Sequence, residues 1–179
     1  MIIVLGGRAG SGKSTIAKEV AKKLGYKHYS MGDLQRNIAK EKGISLLELG
    51  KLEEKDDSID RQLDKKQKEL GIKEDNFVID GRLSVFFLPK ALKIFLDAYP
   101  KTRAGRILKD NREMEKSRDV STMLESMKKR EDSEAKRYKA YYGFDCYDKR
   151  KYDAVIDTTS LQVEAVVEKV MELAKKRRL

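Results

Sequence analysis

The sequence predicts an α/β protein, a three-layer fold with a five-stranded parallel sheet carrying helices on both faces. Three observations carry that reading. Short aliphatic runs alternate along the chain with longer segments of helical periodicity. A glycine-rich loop joins the first run directly to the first helix. The third run closes on a carboxylate, at the edge where open parallel sheets collect their ligands.

Ile2-Ile3-Val4-Leu5 is the first run and reads as a buried strand. Gly7-Arg8-Ala9-Gly10-Ser11-Gly12-Lys13-Ser14 follows, with Thr15 next, and fits the P-loop spacing G-x-x-x-x-G-K-[ST]. Ile16, Val20 and Leu24 then recur at i, i+4 and i+8 beside Ala17 and Ala21, the apolar stripe of a helix. An ordinary glycine turn would share the composition. Strand, loop and helix in this order are what phosphate binding needs: glycines turn backbone N–H groups inward, and the helix N-terminus adds partial positive charge. Lys13 then reaches the β/γ-phosphates of a bound nucleotide, and the Ser14 hydroxyl holds Mg²⁺.

Gly25 ends the first helix, and Lys27–Ser30 is a second short strand. His28, the only histidine, lacks a Cys or His partner for a metal and reads as a packing residue. A turn at Ser30, Met31 and Gly32 opens a helix in which Arg36 lies about one turn on, able to return to the loop mouth. Ser45 and Glu48 form a capping box. Residues 56–70 form a charged helix with Ile59, Leu63 and Leu70 as sparse apolar anchors. Such a helix lies on the body as part of a small movable subdomain.

Phe77–Asp80 is the third strand, and its terminal Asp80 is a Walker-B carboxylate, able to hold Mg²⁺. Gly81 leaves room for a ligand, and Arg82 enters the same crevice. Leu92–Asp97 and Ala154–Asp157 complete the sheet. Between them Arg103 and Arg106 share a helix face, and a long helix over 121–142 sets Arg130, Glu134 and Arg137 at i, i+4 and i+7. Salt-bridge decoration is the plain reading of such a face. Beside a phosphate cradle, it also supplies the cations a transferred phosphoryl group requires.

Composition narrows the function classes. The chain has 179 residues, a net charge of +10 and a single cysteine, with no apolar run long enough to span a membrane. A lone Cys146 excludes an internal disulfide and suits a reducing cytoplasm, the expected location. No stretch interleaves aromatics with arginines as an RNA platform would, so nucleic acid is not an expected partner. The guanine-reading Asn-Lys-x-Asp of a nucleotide switch is missing from the sequence.

The P-loop, the Gly32…Arg36 turn, Asp80-Gly81-Arg82, residues 93–98 and Arg130…Glu134…Arg137 together resemble cytidylate kinase. Residues 153–160 belong to the same pattern, and the run 130–139 with Tyr141-Tyr142-Gly143 is most similar to the archaeal short form. The resemblance covers nearly the whole chain. It implies a P-loop NTPase fold in a single domain over 1–179, with a helical monophosphate-binding insert over 31–75 and a lid over 103–142. It also implies transfer of the ATP γ-phosphate to CMP or dCMP, by a monomer whose partners are small nucleotides. On that resemblance, Lys13, Arg106, Arg130 and Arg137 are the catalytic cations. Arg36 and Arg82 hold the acceptor phosphate, with Ser30, Gly32, Asp80 and Gly81 around them. Glu134 stands where bacterial members carry the Asp that contacts the nucleoside, and residues 158–160 loop beneath adenine. Met31 and Leu83 depart from the bacterial pattern, which has Ser and Asp at those places near the base. The nearest rival is adenylate kinase or another small-molecule kinase.

Overall fold

The computed structural model describes residues 1–110 and 119–178. The lid expected over 103–142 therefore falls partly outside the described residues. Five strands form one parallel sheet: β1 (Ile2–Gly7), β2 (Lys27–Ser30), β3 (Phe77–Asp80), β4 (Leu92–Asp97) and β5 (Ala154–Asp157). Their order is β2-β3-β1-β4-β5, so β1 is central.

Alternation along the strands sorts side chains onto two faces, both buried. Ile3, Leu5, Val78, Ile94 and Leu96 pack against α1 (Lys13–Leu24) and α8 (Val163–Arg178) through Ile16, Val20, Val166 and Val170. Val4, Phe77, Ile79 and Phe95 face the other way, onto Val85 and Leu88 near the short α5 (Ser84–Phe87), and onto Leu70 and Tyr152. The register sets Leu5 beside Asp80 and Gly7 beside Leu96. The glycine loop and the Asp80 carboxylate thus leave the sheet at the same edge.

Three helices stand between β2 and β3: α2 (Met31–Glu41), α3 (Leu46–Glu53) and α4 (Ser58–Lys73). Ser30 accepts from the Asp33 N–H and caps α2, while Ser45 and Glu48 close the expected capping box of α3. These helices share a small cluster of their own, Ala39 with Leu46 and Leu49. Helix α4 begins two residues later than its charge pattern implies, because Asp56 bonds the backbone N–H and hydroxyl of Ser58. Helix α5 and a 3₁₀ turn at Lys149–Lys151 are too short to leave a periodicity in the sequence.

Helices α6 (Pro100–Lys109) and α7 (Val120–Tyr142) lie against the glycine loop. The abundance of charge over 103–142 leads the sequence to predict thin apolar anchoring for this segment, and the structure corrects that expectation. Ala104, Ile107, Met123 and Met127 form a cluster with Ala9, and Tyr138 packs with Leu83 and Cys146. The anchoring escaped notice because Glu131, Glu134 and Arg137 fill buried positions of the same helix with ions. No helix among the described residues is long and apolar enough to cross a membrane.

Tyr152 presses its ring against the central strand: a Cβ on Gly6 would fall 2.4 Å from Tyr152 Cε1 and Oη. Gly6→Ala is expected to overpack this contact, by about 1–3 kcal/mol, and to lower Tm by roughly 2–10 °C. Gly6→Ala/Tyr152→Leu should lose less than the sum of the single variants in thermal melts. Strict additivity would show that the ring does not limit this position.

Candidate active site

Glycines shape the loop by close approach. A Cβ on Gly7 would lie 2.2 Å from the Leu96 carbonyl oxygen, and one on Gly10 would lie 2.5 Å from that of Arg103. Both also have positive φ, a region costly for other residues. Lys13 heads α1, and its Nζ donates to the Arg8 carbonyl at 2.7 Å. Burial, reinforced by the charges of Arg82 and Arg130, lowers the Lys13 amine from 10.5 to about 7, although Asp80 and Glu134 oppose this. Ser11 Oγ is buried without a hydrogen-bond partner among the described residues. These properties fit a cationic, donor-rich cradle for an anion.

Asp80 is the meeting point of three elements. Ser14 Oγ donates to Oδ1 at 2.8 Å and Ser30 Oγ to the same oxygen at 3.1 Å. His28 Nε2 lies 2.8 Å from Oδ2. The reading of His28 as a packing residue is thereby corrected. Parallel pairing sets His28 beside Val78 and Ser30 beside Asp80, so both side chains reach the same carboxylate. Knowing which strands are neighbours would have found this.

A cleft of about 700 Å³ opens over the loop. Arg36, Arg82, Arg106 and Arg130 line it, together with Gly10 to Thr15, Gly32, Asp80 and Gly81. Arg106 donates to the Thr158 hydroxyl at 2.9 Å and its carbonyl at 2.6 Å, which ties it to the loop over 158–160. Arg36 pairs with Asp33 at the cleft edge. Arg82 pairs with the buried Glu134, which Arg130 also binds at 3.0 Å. Burial opposes the Glu134 charge, but Arg82 and Arg130 prevail and hold its carboxyl below the usual range. Tyr147, which no motif or spacing singles out, donates to Glu134 at 2.7 Å and accepts from Arg82 Nε at 3.3 Å.

Five expected site residues, Gly7, Arg8, Ser30, Glu134 and Arg137, do not line the cleft, and Ser30 is turned onto Asp80. Arg137 sits outside the cleft, bonded to Asp60 at 3.0 Å and Gly50 O at 3.2 Å. It also pairs with Glu53 at 2.9 Å, an ion pair without hydrogen-bond geometry. Anions of the insert have captured it, and even so burial pushes Glu53 up to about 7. Glu134 bridges arginines and does not line the cleft. The Arg8 side chain turns away from the loop to pair with Glu131 and stacks on the Tyr147 ring, 4.1 Å from its centroid. Glu131 also holds Arg103 at 2.6 Å, and Arg103 donates to Ala9 O at 3.0 Å. This clamps α7 onto the loop. Gly7 likewise serves strand packing and does not line the cleft.

Sheet, loop, terminal carboxylate and cationic cleft define the class of P-loop kinases. Within that class the chain belongs to the cytidylate kinase-like family, whose sequence pattern matches residues 2–160. A cytidylate kinase of Methanobrevibacter smithii is 37% identical over 175 residues, covering 98% of this chain and 99% of its own. One from Archaeoglobus fulgidus is 36% identical, covering 100% of this chain and 97% of its own. Among solved structures, an uncharacterised protein of Eubacterium ventriosum superposes with a TM-score of 0.71 at 22% identity, covering 96% of both chains. Shikimate kinase from Acinetobacter baumannii does so at 0.64 and 15%, covering 99% of this chain and 94% of its own. At those identities the likeness is one of fold.

Lys13 gives a pH signature. The unfolded chain holds the Lys13 proton up to about 10.5 and the free folded protein only up to about 7. Between those values the unfolded state binds more protons, so this residue makes stability rise with pH. Lys13→Met should therefore melt higher than wild type at pH 7, with the difference shrinking towards pH 10, and should lose the ATP-induced rise in Tm. An unchanged melting profile in the variant would contradict a buried, destabilised ammonium.

Proposed function

We propose that this protein transfers the γ-phosphoryl group of ATP to CMP or dCMP, giving ADP and the diphosphate. One observation carries the reading: the Lys13 loop and the arginine pair Arg36 and Arg82 line a single cleft. Donor and acceptor phosphates brought there meet within one enclosure, and positioning is the larger part of phosphoryl transfer. Membership of a family with cytidylate kinases among its members supports cytidylate as the acceptor.

The backbone N–H groups from Gly10 to Thr15 and the Lys13 ammonium hold the donor phosphates. Arg36 and Arg82 bind the acceptor phosphate, Arg106 and Arg130 face the transferred group, and residues 158–160 support adenine. An acceptor phosphate oxygen forms the new P–O bond as the bond to ADP breaks, and ADP leaves with the electron pair. No side chain need serve as nucleophile. Hard oxygen donors at Ser14 and Asp80, 2.8 Å apart, fit Mg²⁺. Bound there, the ion would neutralise charge on the donor phosphates. We take residues 31–75 as the acceptor insert and 103–142 as the lid of a monomeric, cytoplasmic enzyme acting on free nucleotides.

Incubation with ATP, Mg²⁺ and each monophosphate in turn tests this, with CDP and dCDP as the expected principal products. Preferential formation of a second ADP from AMP would identify an adenylate kinase and overturn the reading. Arg36→Ala should raise the KM for CMP roughly 10- to 100-fold, with little change for ATP, as loss of a charge-assisted contact to the acceptor alone. Arg36→Lys should recover little, because a point charge cannot reproduce paired contacts. Equal effects on both substrates would refute the division into donor and acceptor sites.

A further inference from the structure

Helix α4 buries polar side chains where an amphipathic helix buries apolar ones. Asp60, Asp64 and Gln67 recur at i, i+4 and i+7 and are 2%, 5% and 3% exposed. Gln35 of α2 is buried in the same seam. Polar groups held this way destabilise unless they are bonded. Asp60 is engaged by Arg137. The other two on α4 are half used. Asp64 Oδ2 accepts from the Tyr142 hydroxyl, and its Oδ1 carries no bond among the described residues. Gln67 Oε1 accepts from Ser84 Oγ at 2.7 Å, which turns its unbonded Nε2 away from Ser84. The seam joins the main cleft at Gly32, Gly81 and Arg82, beside the acceptor arginine.

We propose that Asp64 and Gln67 read the acceptor base, Asp64 Oδ1 accepting from the N4 amino group of cytosine and Gln67 Nε2 donating to N3. The proposal rests on the CMP reading above and names the residues that make it specific. An acceptor followed by a donor, one helical turn apart, matches the donor–acceptor order of the cytosine edge. Uracil reverses both signs: its O4 would meet a carboxylate oxygen and its N3–H an amide N–H. Discrimination then comes from two repulsions as well as two bonds. Tyr142 and Ser84 act as positioning residues, since each occupies one end of its partner and fixes which atom is presented. The seam encloses only about 30 Å³ here, room for roughly one water, so α4 must swing from α2 and Leu83 to admit a base.

The test compares the ratio of kcat/KM for CMP over UMP, at saturating ATP, in wild type and variants whose melting is also measured. Asp64→Asn keeps the size and the Tyr142 bond to its carbonyl oxygen, and so presents an N–H where an acceptor stood. Its ratio is expected to fall roughly 100-fold or more, with UMP turnover rising and the KM for ATP unchanged. Gln67→Glu reverses the second contact and should lower the ratio independently, which keeps the test intact if Asp64→Asn does not fold. Asp60→Asn, whose carboxylate serves Arg137, should lower Tm and leave the ratio alone. Folded Asp64→Asn or Gln67→Glu with the wild-type ratio overturns base reading while the kinase function stands. A wild type that does not phosphorylate CMP overturns that function, and this assignment with it.

Discussion

Asp80 is buried at the end of β3, and a buried carboxylate must find donors or give up its charge. It finds them on Ser14 at the start of α1, and on His28 and Ser30 along β2. Those contacts bind the glycine loop, the sheet and the entrance to the helical insert to one another. The placement of Arg36 follows, since α2 starts directly from Ser30. So does the position of the cleft, which the loop and Asp80 to Arg82 line together.

Much of the ionic character lies inside the molecule. Arg103 with Glu131, Arg82 and Arg130 with Glu134, and Arg137 with Glu53 and Asp60 are largely buried pairs along α7. Such pairs add little net stability over apolar packing, but removing one partner strands a charge and destabilises strongly. Their geometry is therefore tightly specified. Glu134 matters most, because it holds two cleft arginines in place before any phosphate arrives.

Sheet and loop were legible because their signals are local: an aliphatic run of the right length, a glycine spacing, a carboxylate closing a strand. The capping box of α3 and the span of α7 were read on the same basis. Side-chain direction was not. Arg130, Glu134 and Arg137 share a helical spacing, yet they divide between the cleft, an arginine bridge and the insert, because those neighbours come from distant parts of the chain. The buried face of α4 reads as a solvated charged surface, since composition cannot separate a buried Asp from an exposed one. His28 was misread for the same reason: its partner lies on another strand.

The strand order also has a consequence for how the chain is made. β1 leaves the ribosome first, but its hydrogen-bonding neighbours are β3 and β4, with Ile2 opposite Phe77 and Ile3 opposite Leu92. Its outer cover, Val166 and Val170 of α8, arrives last of all. The strand that carries the phosphate loop thus waits, unpaired and apolar, through most of synthesis. Non-local parallel pairing of this kind folds slowly and exposes sticky segments meanwhile. The phosphate loop is translated before the strands that flank it, so a ribosome stalled before Leu92 presents the loop sequence without its binding site.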